Sequence, residues 1–257
     1  KAPKDWDITT NAHPDQIQAL FSETYFNNDY GTVGVVNEET EDIRLRVVEV
    51  TPYRSESHYS DARRPDSVTF GVSLEEDLKR RDFTVNAIAY RLQDEKVVDL
   101  FDGMGDIEKK RLKTVGNPDE RFEEDALRMM RAVRLASELN FAIESETLTS
   151  ITKNSPILSR ISVERIAEEF IKIINSKTPM QGIVLLEHLG MIEYIVPELK
   201  DTMGCEQGGI HAYDVYEHIL RTLQAAADKD FSTELRLAAL FHDIAKPATR
   251  RTGGKNK

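Results

Sequence analysis

Apolar residues along this chain follow two rhythms, and the change from one to the other divides it. Up to Asp102 they come mostly in short β-branched runs. Lys4-Asp5-Trp6-Asp7-Ile8-Thr9-Thr10 predicts a first strand, with Asp5 and Asp7 on one face and Trp6 on the other. Asn11 to Phe21 predicts a short helix, with Asn11 or His13 as cap, Pro14 near the first turn, and Ile17, Leu20 and Phe21 on one side. Thr32-Val33-Gly34-Val35-Val36 predicts a strand, and the polar Asn37 to Asp42 turns the chain back into Arg44 to Thr51. In that next strand Val48 and Val50 flank Glu49, leaving the acid alone on the opposite face.

Arg54 to Ser67 is polar, rich in arginine and without periodicity, which predicts a surface loop. Leu74 to Ala89 reads as a helix with Leu74, Leu78, Val85, Ile88 and Ala89 inside and Arg80, Arg81, Asp82 and Asn86 in or beside that face. Val97 to Leu100 closes the strand-forming part, before a turn at Phe101-Asp102-Gly103. Beyond it the helical period takes over. Arg121 to Leu139 predicts one helix, with Glu124, Asp125, Arg128, Arg131 and Arg134 on a polar stripe and Ala126, Met130 and Val133 opposite. A helix starting at Ser162 would place Ile166, Phe170 and Ile173 inside; Leu185 to Leu189 continues the helical half. His218 falls in a helix from about Tyr213 to Leu223, and His242-Asp243 follows an apolar helix around Leu235 to Leu240.

Composition narrows the class. With 257 residues, 40% of them hydrophobic, the chain can bury a real core in one to three compact units. No run approaches the roughly 18 to 20 apolar residues of a membrane span, and no secretory signal pattern stands at the start. A single cysteine, Cys205, excludes an intrachain disulfide and fits a reducing cytoplasm. The net charge of −11 and pI near 5.1 argue against indiscriminate nucleic-acid binding, so any RNA contact must be local. Basic groups cluster at Arg63-Arg64, Lys79-Arg80-Arg81, Lys109 to Lys113, and along Arg128, Arg131 and Arg134.

Three groups of side chains carry candidate chemistry. Asp5 and Asp7, joined by Glu49 from another strand, would form an all-carboxylate cluster suited to Mg²⁺ and to in-line displacement at phosphorus. The Arg128 stripe can ladder with its own acids in solvent, or present hydrogen bonds to a base edge and charge to phosphates. His218 with His242 and Asp243 can bind a divalent transition metal.

Taken together, the motifs resemble those of the bacterial-type (class II) tRNA nucleotidyltransferase and poly(A) polymerase family. They are, in order, Lys4 to Thr10, Glu49-Val50-Thr51, Asp61-Ala62-Arg63-Arg64-Pro65, Arg80 to Ala87, Glu124 to Arg128, and Ser162 to Ile166. His218 and His242-Asp243-Ile244-Ala245-Lys246-Pro247 are similar to the HD-type domain that many bacterial members carry. The resemblance implies an α+β chain: a small mixed-sheet nucleotidyltransferase head over residues 1–113, a helical neck over 114–178, and a partial HD-like helical body over 179–257. It implies Mg²⁺ at Asp5 and Asp7, with Glu49 completing the catalytic carboxylates. Arg81 with Asp82 would hold the triphosphate, and Asp125 with Arg128 would read the base, with Arg131 and Arg134 along the same pocket. The Arg54 to Ser67 segment is similar to the family's loop that helps the pocket switch from C to A. Family members carry a Gly-Gly-x-Val-Arg-Asp segment before the aspartates, and Lys1 stands after its place.

The implied activity is addition of C and A to the tRNA 3′ end from CTP and ATP, with the tRNA acceptor arm as partner. A-only addition, CC-only addition and poly(A) synthesis are its close alternatives. A metal phosphohydrolase centred on the histidines, or a non-catalytic RNA-binding remnant, are the distant ones. For the phosphohydrolase a transition metal at the HD-type site is the implied cofactor.

Overall fold

The computed structural model describes residues 6–27, 31–57, 67–207 and 212–249. The chain divides into two compact units, one over residues 1–103 and one over 104–257. Among the described residues no helix is long and apolar enough to cross a membrane.

The first unit is built on a four-stranded mixed sheet. β1 (Asp7–Thr10) is followed by α1 (Pro14–Leu20), β2 (Thr24–Asn27), β3 (Thr32–Val36) and β4 (Val47–Pro52), in the spatial order β1-β4-β3-β2. β1 runs parallel to β4, whereas β2–β3 and β3–β4 are antiparallel. α1 lies on one face, where Ile17, Val33 and Val50 form a small core. This helix starts later than the expected Asn11. His13 is its N-cap, and the His13 N–H donates to Gln16 Oε1 at 2.8 Å. Only Ile17 of its expected apolar side is buried; Leu20, at the end of a two-turn helix, is 76% exposed.

The expected loop from Arg54 to Ser67 begins and ends as strand. β5 (Arg54–Ser57) and β6 (Ser67–Phe70) pair antiparallel, and Arg63 and Arg64 lie outside the described residues. The expected long helix from Leu74 is also corrected. α2 (Leu74–Lys79) is capped by Ser73, whose hydroxyl accepts the Glu76 N–H at 3.2 Å, and it stops after six residues. The Asp82 carboxylate takes the Phe83 N–H at 2.9 Å and Asn86 Nδ2 at 3.1 Å, closing a 3-10 turn over Thr84–Asn86. A side chain that bonds its own neighbouring backbone competes with the helix ladder, and the β-branched Thr84 and Val85 follow. The chain then forms the hairpin β7 (Ile88–Arg91) and β8 (Lys96–Asp99).

After α3 (Gly103–Glu108) the second unit is helical apart from a two-residue parallel ladder between β9 (Arg111–Leu112) and β10 (Ala142–Ile143). The helices are α4 (Pro118–Glu124), α5 (Leu127–Leu139), α6 (Ser145–Asn154), α7 (Val163–Ile174), α8 (Pro179–His188), α9 (Glu198–Asp201), α10 (Val215–Asp228), α11 (Thr233–Phe241) and α12 (Lys246–Thr249). Met130 and Val133 from α5 and Ile173 from α7 are fully buried, on the faces the helical period assigns to the interior. Asn140 ends α5 in the left-handed region, at φ 55°.

One buried cation joins several helix ends. Arg236 of α11 is 7% exposed and donates to the carbonyls of Phe231 (3.0 Å), Ile174 (3.1 Å), Ser176 (2.9 Å) and Ala227 (3.5 Å). Ile174 closes α7 and Ala227 lies in the last turn of α10, where the helix dipole is negative, and the Ala227 carbonyl also takes the Asp230 N–H at 3.0 Å. Arg236→Met keeps the apolar stem and takes the guanidinium from the Phe231, Ile174 and Ser176 oxygens. It should cost about 2 kcal/mol of unfolding free energy, read as a lower urea midpoint. An unchanged midpoint would mean that water replaces the guanidinium.

Candidate functional site

The carboxylates of the first unit meet through a pairing that is distant in sequence. The parallel register sets Asp7 opposite Glu49, and the antiparallel register sets Glu49 opposite Gly34. Because side chains alternate along strands, both acids project from the face opposite the Ile17 core, and both are exposed. Two residues on, the next row is threonine: Thr9 Oγ1 donates to the Thr51 carbonyl at 3.1 Å, and the Thr32 and Thr51 hydroxyls are 3.1 Å apart. Among the described residues neither the Asp7 nor the Glu49 carboxylate has a hydrogen-bond or ion-pair partner. Paired hard-oxygen anions with no basic side chain to neutralise them fit a divalent cation such as Mg²⁺. Asp5 lies outside the described residues.

A second cluster in the same unit surrounds Asp77, which is fully buried. It accepts from Arg80 Nη2 (2.7 Å), Arg81 Nη2 (3.3 Å) and the Arg54 backbone N–H (3.3 Å). Arg80 also bonds Glu56 (3.0 Å) and the Arg54 carbonyl (3.1 Å), tying α2 to β5. Arg81, the expected triphosphate ligand, is thus oriented by Asp77 and by the Asn86 carbonyl at 3.4 Å. Asp82 is only 7% exposed and holds the turn after α2. Asp77 and Glu56 were not singled out from sequence, although Asp77 stands three and four residues before Arg80 and Arg81, the spacing of helical ion pairs.

In the second unit the expected continuous polar stripe is broken. Asp125 has extended backbone, φ −145°, and separates α4 from α5. Its Oδ1 accepts the Leu127 N–H at 3.0 Å, which holds the turn just before Ala126, the N-cap of the new helix, and its Oδ2 accepts from Arg165 of α7 at 2.8 Å. Arg128 pairs with Glu124, which also pairs with Arg121. Arg134 is 2.8 Å from the buried Glu169 and 3.3 Å from Glu138. Arg131 is half-buried on α5. These pairs are therefore largely shielded from solvent, not the solvated ladder that charge runs usually make. Arg165 is the residue that sequence reasoning left without a role there.

The same unit assembles His218, His242 and Asp243, whose ligand atoms lie within 4.8 Å of one another. The two Nε2 atoms are 3.2 Å apart, and Asp243 Oδ2 is 3.2 Å from His242 Nε2 and 3.6 Å from His218 Nε2. Two imidazole nitrogens on one tetrahedral ion at 2.0–2.1 Å each stand about 3.3 Å apart, so the spacing suits a shared metal. His242 Nδ1 is 2.9 Å from the Ala239 carbonyl, which can only accept, so Nδ1 donates there and Nε2 is the nitrogen turned toward His218 and Asp243. Lys246 Nζ holds Asp243 Oδ2 at 2.6 Å and Gln207 Oε1 at 2.8 Å. Burial pushes the Asp243 carboxyl up, but the Lys246 hydrogen bond and the His242, Lys246 and His218 charges outweigh it and hold it below the ordinary value.

Two family models match the chain: the poly A polymerase head domain over residues 1–113, and the probable RNA and SrmB-binding site of polymerase A over 140–203. A CCA-adding enzyme of Levilactobacillus brevis is 48% identical over 238 residues, 92% of this chain and 55% of that protein. The chain thus spans about half the length of the curated relatives it matches. The crystal structure of a Bacillus stearothermophilus CCA-adding enzyme in complex with CTP superposes with a TM-score of 0.66 at 30% identity, covering 97% of this chain and 70% of that one. A tRNA nucleotidyltransferase complexed with a primer tRNA and an incoming ATP analogue shares the fold at 19% identity, with a TM-score of 0.65 and coverage of 95% and 76%. With its carboxylate-bearing mixed sheet, its helical second unit and these likenesses, the chain belongs to the family of bacterial-type tRNA nucleotidyltransferases and poly(A) polymerases.

Proposed function

We propose that the chain adds C and A nucleotides to the 3′ end of tRNA without a template, by Mg²⁺-dependent nucleotidyl transfer from CTP and ATP in the cytoplasm. The observation that carries this is the in-register Asp7–Glu49 pair, exposed on one sheet face with no basic partner among the described residues, in a chain of this family. Asp7, Glu49 and Asp5 would hold the ion. When bound, it would lower the pKa of the tRNA 3′-hydroxyl and neutralise the charge on departing pyrophosphate. The hydroxyl oxygen attacks the α-phosphorus, its proton passes to solvent, and the bond to pyrophosphate breaks. Arg81, oriented by Asp77, takes the triphosphate. Asp125, oriented by Arg165, reads the base beside Arg128, with Arg131 and Arg134 along the same pocket. In this scheme the head spans residues 1–113, the neck 114–178 and the body 179–257.

The test is tRNA ending before, within or after CCA, incubated with each labelled triphosphate separately. Sequential C, C and A addition that then stops is the expected result. Addition of A alone, of C alone, or of long A tails would assign one of the sister activities. No incorporation by the full chain would overturn the proposal.

The spacing of His218, His242 and Asp243 favours a second reading for that part of the chain, a transition-metal phosphohydrolase. His242→Ala with Asp243→Ala should leave Mg²⁺-dependent incorporation within a few-fold of the parent and abolish Ni²⁺- or Mn²⁺-stimulated phosphodiester hydrolysis. If the three side chains only pin helices together, the double variant melts lower and there is no hydrolysis to lose. Loss of incorporation in a stably folded double variant would mean that both halves serve one reaction.

A further inference from the structure

Beside the carboxylates the sheet carries an aromatic ring whose placement costs it a side chain. The registers of β2, β3, β4 and β1 align Tyr25, Gly34, Glu49 and Asp7 in one row across the sheet. Gly34 belongs to the row that faces away from the Ile17 core, yet it is buried, because Tyr25 lies over it. A Cβ at position 34 would overlap Cζ and Cε1 of the Tyr25 ring and come within 2.7 Å of its hydroxyl oxygen. The far end of the ring therefore occupies the place of a side chain on β3, one strand from Glu49, where neighbouring strands run about 4.8 Å apart. Tyr25 remains 47% exposed, and among the described residues its hydroxyl has no partner.

Glycine inside a strand weakens it, and valine flanks it on both sides here, at Val33 and Val35. Covering a sheet glycine with a cross-strand aromatic is a known compensation, and cover alone would be a purely structural role. It does not account for the half-exposed ring ending at the acid row. We propose that Tyr25 is a nucleoside-packing residue: its ring supports the ribose or base of a nucleoside whose reacting oxygen or phosphate is held at Asp7 and Glu49. This rests on the nucleotidyl-transfer reading above, in which both reactants bring a nucleoside to the carboxylates. Aromatic rings stack on any base face, so the packing would be tolerant of sequence.

The test uses the full chain with Tyr25→Phe, Tyr25→Leu and Gly34→Val, measuring incorporation with CTP and ATP on tRNA lacking its terminal nucleotides. The clash at position 34 falls on the far end of one flexible side chain, so Gly34→Val should fold and swing the ring aside. Tyr25→Phe should stay within about twofold of the parent. Tyr25→Leu and Gly34→Val should each raise one KM about tenfold, within the range that base stacking supplies, with kcat changed less. A rise in the KM for tRNA assigns the ring to the 3′-terminal nucleoside, and a rise in the KM for triphosphate assigns it to the incoming one. Tyr25→Leu combined with Gly34→Val should be no worse than the weaker single variant, since both remove the same surface. Equilibrium binding of tRNA and of CTP to parent and Tyr25→Leu gives a readout that needs no turnover. An inactive parent whose binding still weakens in Tyr25→Leu would refute the activity and keep the packing surface. A lowered melting temperature with both KM values and both affinities unchanged would make Tyr25 mere cover and overturn the proposal.

Discussion

Asp7→Ala should abolish nucleotide incorporation, by at least about a hundredfold, the scale of losing a principal electrostatic group at a reacting centre. Binding of tRNA should survive, because the lost group is an expected metal ligand and not an RNA contact. The sheet should survive too: Asp7 is exposed on edge strand β1, and its backbone pairing with β4 does not involve the carboxylate. Asp7→Asn is the informative partner variant, since it keeps the shape and one acceptor oxygen but removes the charge. It should be nearly as damaged as Asp7→Ala if charge on the ion matters, and mild if Asp7 only hydrogen-bonds. Titrating Mg²⁺ separates the cases further, because a weakened site demands more ion while a broken fold does not respond. Full activity in Asp7→Ala would remove this residue from the mechanism.

How much of this was legible beforehand depends on the range of the interactions involved. The strands containing Asp7 and Glu49 were readable, because β-branched runs and face alternation are local properties. Their parallel pairing was not, since it joins residues about forty positions apart and leaves no local periodicity. Face alternation offered Glu49 as a partner for Asp5 and Asp7, and the likeness of the motifs joined the same acids, but neither supplied the register. For the same reason no sequence signal placed Tyr25 over Gly34: the contact exists only once β2 and β3 are in register.

The helical half failed differently. The three- and four-residue spacing of Glu124, Arg128, Arg131 and Arg134 continues smoothly through Asp125, so periodicity alone joins α4 to α5. What divides them is a side-chain hydrogen bond from the Leu127 N–H to Asp125 and an ion pair to a residue forty positions away. The premature end of α2 has the same origin, with Asp82 capturing the next N–H. In both places an aspartate competes with the helical ladder. Both aspartates stand in motifs for which the family resemblance implies nucleotide contacts.

Asp125 is also where the second large effect is expected. Its Oδ1 accepts the Leu127 N–H and its Oδ2 accepts from Arg165, yet each carboxylate oxygen has a further lone pair for a base edge. A carboxylate accepts from an exocyclic amine, which C and A carry where U and G present a carbonyl. Asp125→Ala should therefore raise UTP or GTP incorporation relative to CTP and ATP by about ten- to a hundredfold, the scale of one well-placed base contact. Arg165→Ala should move the same ratio in the same direction but less, because it loosens the acid without removing it. Asp125→Asn keeps an acceptor for the Leu127 N–H, so it should preserve the α4–α5 break while weakening the Arg165 contact. Thermal melting of all three separates the turn that starts α5 from the reading of the base. If the rate collapses with selectivity unchanged, and melting falls in Asp125→Ala but not in Asp125→Asn, then Asp125 serves only to start α5 and the base is read by other residues.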